Sequence, residues 1–132
     1  MARASRLAAV IFVLAGGVIH YHLWHGGYRG IAYIGPLFLA NTVASGVVAL
    51  ALLVFRNNAK VVLAGLALSV GALIALVMSR TTGILGFTDP GWTPDAYRAI
   101  AAEGGAIVSL ALVATTGRLR RPVRRAPAVA TG

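Results

Sequence analysis

The chain has 132 residues, 58% of them hydrophobic and 11% charged, with 12 Lys+Arg against 3 Asp+Glu and no cysteine. A charged fraction far below the quarter or so typical of soluble domains excludes a soluble globular protein, and the apolar content excludes disorder. The lack of cysteine excludes disulfides, thiolate metal sites, iron–sulfur clusters and cysteine nucleophiles.

Four apolar runs follow one another along the chain, at residues 7–23, 34–55, 61–78 and 99–116. Each is near the roughly 20 residues a helix needs to cross a bilayer core, and none alternates as a strand would. Backbone groups in lipid must be satisfied within the segment, so all four runs are expected as transmembrane helices. The first begins after Arg3 and Arg6, and a cleaved signal peptide ending near Ala15-Gly16-Gly17 is the competing reading. No clear A-x-A site appears at that point, and the apolar stretch continues through Val18-Ile19. Gly35-Pro36 opens the second helix, where proline's missing N–H costs nothing. Residues 56–60, Arg-Asn-Asn-Ala-Lys, join helices two and three so tightly that the two must be antiparallel neighbours. Thr82 to Pro94 is a turn-rich loop, and Asp95 is expected to cap the fourth helix. The expected fold is therefore all-α, an antiparallel bundle of four transmembrane helices over residues 1–117, followed by a basic tail at 118–132.

Four spans place both termini on one side. That side carries Arg3, Arg6, Arg56, Lys60, Arg118, Arg120, Arg121, Arg124 and Arg125, nine of the twelve cations. Excess Lys and Arg mark the cytoplasmic face, so the termini are expected inside. Every Tyr and Trp (Tyr21, Trp24, Tyr28, Tyr33, Trp92 and Tyr97) falls toward the other side, as half of an aromatic belt. Arg118, Arg120, Arg121, Arg124 and Arg125 directly follow a span and read as contacts to anionic lipid headgroups. No helix-turn-helix or stacking-aromatic motif supports a nucleic-acid partner.

Small residues at i, i+4 spacing give candidate packing columns: Phe12/Gly16/His20, Asn41/Ser45/Ala49, Ala67/Gly71/Ala75/Ser79 and Ala101/Gly105/Ser109. Asn41 and Glu103 each lie several residues inside helices entering from the outer face, and His20 and Arg80 reach a similar level from the ends of helices one and three. An ionisable group within a membrane marks a functional site by default. Glu103, Asn41, His20 and Arg80 are thus the candidate polar site in the outer leaflet. The plainer alternative has Glu103 merely pairing with Arg98 or Arg80. His20, His22 and His25 form a possible metal set, but on a continuous helix His20 and His22 diverge by about 160°, so convergence needs the helix to unwind after Tyr21. No nucleophile–base pair and no phosphate-cradling loop emerges, no catalytic residue is assigned, and no cofactor is named.

The stretch His22-Leu-Trp-His-Gly-Gly-Tyr-Arg-Gly-Ile, followed by Ile34-Gly-Pro-Leu-Phe-Leu-Ala-Asn41, resembles small four-span integral membrane proteins of actinobacterial-type bacteria, uncharacterised as a group. The likeness covers the first two helices and their loop and implies a four-span membrane fold, with no functional residue carried over. Taken together, these readings favour a multi-pass protein of a bacterial plasma membrane, a non-enzymatic accessory or structural subunit that packs with itself or with another membrane protein. The alternative is a ligand-binding, proton or redox component that handles a lipid, quinone or metal near the outer face.

Overall fold

The computed structural model describes residues 2–56 and 58–119. Four helices make up the bundle: α1 (Ala2–Gly26), α2 (Ile34–Val54), α3 (Ala59–Arg80) and α4 (Pro94–Leu119), with one short 3₁₀ turn at Tyr28–Gly30. All four are long and apolar enough to cross a membrane. The architecture is the all-α bundle expected from the apolar runs, although α1 and α4 extend further than those runs. At the start of α4 a capping hydrogen bond explains the difference. The Thr93 hydroxyl accepts from the Ala96 amide at 3.3 Å, so α4 starts at Pro94 and Thr93, rather than Asp95, is its cap. Asp95 sits in the first turn, where a carboxylate suits the helix dipole, and accepts from Arg98 at 2.8 Å. At the start of α3, the Asn58 side chain accepts from the Lys60 amide at 2.9 Å. Arg118 falls in the last turn of α4; Arg120, Arg121, Arg124 and Arg125 lie outside the described residues.

α1 packs along both α2 and α4, and α3 packs chiefly on α4; α2 and α3 touch far less despite the short link between them. The core is concentrated in the half nearest the chain's N-terminus, where Ala9, Val10 and Val13 of α1 meet Ala49 and Leu52 of α2, Val62 of α3, and Ala106 and Leu110 of α4. Close approach there depends on glycine. A methyl group at Gly17 would lie 2.7 Å from Ser45 Cβ, and one at Gly105 would lie 2.5 Å from the Phe12 ring. The Thr42 hydroxyl crosses the α1–α2 seam to the Gly17 carbonyl at 3.2 Å. These contacts supply the van der Waals packing that drives helix association where lipid is as apolar as the protein.

The packing columns are only partly those expected. Ser45 and Ala49 of α2 are buried as the spacing suggested. On α3 the buried residues are Val62, Gly65, Ser69 and Ser79, while Ala67 and Gly71 are exposed. On α4 the buried face is Ala99, Ala102, Glu103, Ala106, Ser109 and Leu110, and Ala101 is exposed. Helix period identifies a stripe, but with apolar surroundings on every side it does not say whether that stripe meets a helix or lipid.

Candidate functional site

Away from the core, α2 and α3 diverge and leave a cavity of about 400 Å³, within the range of small-molecule sites. Leu37, Ala40 and Ala44 line its α2 wall, and Ala67, Gly71 and Ala75 its α3 wall. Leu37, Ala40, Ala67 and Gly71 are also exposed, so they form the edges of a slit on the bundle's flank. A methyl group placed on Gly71 would meet nothing within 4 Å. The small residues of α3 therefore keep a gap open instead of closing a helix contact.

Glu103 lies at the deep end. It is 4% exposed, and at 1.5 Å per residue it sits about 13.5 Å along α4 from Pro94. The Ser69 hydroxyl hydrogen-bonds with its carboxyl. Gly16 of α1 makes room for that carboxyl, since a methyl group there would be 2.7 Å from Oε1. His20 Nδ1 is 3.9 Å from the same oxygen. That nitrogen is also 2.8 Å from the Gly16 carbonyl, which only accepts, so Nδ1 carries a proton and directs it at the backbone. Asn41 accepts from the Ser45 hydroxyl at 3.2 Å through Oδ1 and lines the cavity at the α2 wall.

The opposite end is roofed by the loops. Arg80 Nη1 contacts Asp89 Oδ2 at 2.7 Å and donates to the Asp89 and Gly91 carbonyls at 2.6 and 2.5 Å. The Tyr28 hydroxyl donates to Asp89 Oδ2 at 2.7 Å, tying the α1–α2 loop to the α3–α4 loop. Burial and, after it, the hydrogen bond to Asp89 push the Tyr28 hydroxyl above its ordinary value of 10.0. The α3–α4 loop reaches this position through a two-residue turn, in which Ile84 and Phe87 exchange backbone hydrogen bonds of 2.8 Å and Gly86 takes a φ of 77°. The turn delivers Phe87, whose ring lies 5.8 Å from Tyr28; Tyr28 in turn lies 5.1 Å from Phe38, and Phe38 meets His20 edge-on at 5.2 Å. This aromatic series connects the roof of the cavity to its deep end.

His20, Asn41, Arg80 and Glu103 all line this single cavity. Arg80 pairs with Asp89 and Arg98 with Asp95, so neither arginine is the partner of Glu103. α1 stays helical to Gly26, which keeps His20, His22 and His25 on their helical spacing, and no group of three His, Asp or Glu side chains suited to a metal occurs among the described residues. Tyr28, Phe38, Ser69, Phe87 and Asp89 were not singled out from the sequence as site residues. Ser69 was within reach of the same depth arithmetic that found Glu103, but Tyr28 and Asp89 are 61 residues apart in two loops and carry no pattern linking them. No family model, curated protein or solved structure matches the chain.

Proposed function

We propose that the chain is a non-enzymatic, multi-pass protein of a bacterial plasma membrane that holds a small lipophilic ligand in the cavity between α2 and α3. The observation that carries this reading is the cavity itself: about 400 Å³, walled by apolar side chains, slit open along a flank, with a buried carboxyl at its deep end. A molecule dissolved in the bilayer would enter between Ala40 and Gly71 without passing through water. The distribution of cations supports an orientation with the termini, the α2–α3 link and the basic 118–132 tail in the cytoplasm, the tail lying on anionic headgroups. The cavity then faces the outer leaflet. An accessory-subunit role, with self-association or another membrane protein as partner, draws on the exposed apolar faces, but residues such as Ile11, Val18, Val43 and Val47 require only lipid chains as neighbours.

Native mass spectrometry of the protein extracted with its own lipids tests the proposal. The wild type should carry a non-protein adduct at close to one per chain, and Gly71→Phe, which fills open space, should lose it while keeping the fold. An extract without adduct, or Gly71→Phe retaining it at wild-type occupancy, would overturn the reading.

A further inference from the structure

The chain carries four times as many cationic as acidic side chains, 12 against 3, yet among the described residues all three acids line the one cavity. Asp89, Asp95 and Glu103 face it, and among the described residues Arg80 is the only Lys or Arg that does. Two of the three are already matched, Asp89 by Arg80 at 2.7 Å and Asp95 by Arg98 at 2.8 Å. Glu103 is not. Its side chain is 5% exposed, Ser69 gives it one neutral hydrogen bond, and the nearest basic nitrogen, His20 Nδ1 at 3.9 Å, spends its proton on the Gly16 carbonyl. A carboxylate in an apolar interior is costly without an opposite charge, and among the described residues no arginine or lysine lies within 4.0 Å of the Glu103 carboxyl.

From this we infer that the cavity's ligand is a lipophilic cation, whose charge supplies the partner Glu103 lacks. The inference rests on the ligand cavity proposed above and narrows what occupies it. The walls fit this class. The rings of Phe38, Tyr28 and Phe87 follow one another at 5.1 and 5.8 Å from the deep end to the roof, and aromatic faces attract cations most strongly where water is excluded. The Arg80 charge is matched by Asp89, and its Nη1 also donates to two carbonyls in the roof, so its buried Nε–H, which has no partner among the described residues, is left to meet a neutral acceptor on the ligand. The dimensions fit as well. Ser69, beside Glu103, and Arg80, at the roof, are separated by about 16 Å along α3, room for a bulky organic cation but not for a whole phospholipid.

Tetraphenylphosphonium and tetraphenylborate, alike in size and opposite in charge, provide the test. Binding of each to the full chain in zwitterionic nanodiscs is measured by equilibrium dialysis, with partition into empty discs subtracted. The phosphonium should bind at one per chain and at least about tenfold more tightly than the borate. Glu103→Gln, which preserves shape and the Ser69 contact, should weaken the phosphonium about tenfold, whereas Glu103→Asp should retain most of the preference. Equal binding of the two ions, tighter binding of the borate, or a Glu103→Gln protein that binds the phosphonium like wild type would overturn the inference. Those results would leave the cavity reading intact if Gly71→Phe still removed the native adduct. Phosphonium binding that Gly71→Phe did not reduce would place the cation elsewhere and count against the inference.

Discussion

Gly17→Ala probes the seam on which the bundle depends. The added methyl would lie 2.7 Å from Ser45 Cβ, an atom fixed to the α2 backbone, whereas ordinary contacts begin at 3.4 Å. The two helices must therefore part by about 0.7 Å along the line of contact, which also stretches the 3.2 Å hydrogen bond from Thr42 to the Gly17 carbonyl. Overpacking of this kind costs about 1–3 kcal/mol. Alanine's better helix propensity returns about 1 kcal/mol, leaving a net loss of about 0–2 kcal/mol. Gly46→Ala on α2 is the matched control, because a methyl group there meets nothing within 4 Å and only the propensity gain applies. The difference between the two variants isolates the packing cost. Unfolding titrations in mixed micelles, with denaturant dependence extrapolated linearly, give both values. Variants of equal stability to within about 0.5 kcal/mol would refute the reasoning, since additive propensity alone predicts that result.

Arg80→Ala should strip Asp89 of its cation and release the roof; the cost is about 2 kcal/mol, below that of a fully buried pair because Asp89 is partly exposed. Amide exchange across residues 82–92 should speed up markedly, and unchanged protection would show that the ion pair does not hold the loop. Gly86→Ala should cost about 1 kcal/mol although nothing stands near the new methyl, because its φ of 77° is unfavourable to any residue with a Cβ. A neutral result in the same unfolding titration would refute the turn geometry. Tyr28 should be among the last tyrosines to ionise, above pH 10.0, since its pKa is raised on folding. Its contribution to stability is complete below the unfolded value and lost as pH rises through the folded one. Ultraviolet phenolate absorbance should show this late phase in the wild type and lose it in Tyr28→Phe; a wild type without it would contradict the Asp89 contact.

What the sequence made legible follows from how each signal is encoded. The spans are local and one-dimensional, so their apolar runs placed all four helices, with the ends of α1 and α4 set too short, as where Thr93 and Pro94 started α4 early. Glu103 and His20 share a cavity because depth within a helix is also a one-dimensional quantity. The role of Gly71 was not legible, because a small residue that admits a neighbour and one that leaves a gap look alike in sequence. Nor was the roof, where Tyr28, Arg80 and Asp89 meet through loops whose path is set by a positive-φ turn and not by any hydrophobic period.

The central claim is that the slit between α2 and α3 opens to lipid. The chain has no cysteine, so single cysteines at Ala40 and Ala67 can each carry a nitroxide without background labelling. Collision rates with oxygen, which concentrates in the bilayer, and with a water-soluble nickel chelate then report the solvent at the slit. The account predicts that oxygen dominates at both positions and that filling the cavity with Gly71→Phe does not change this. Nickel dominating at Ala40 and Ala67 would place water in the slit and contradict it.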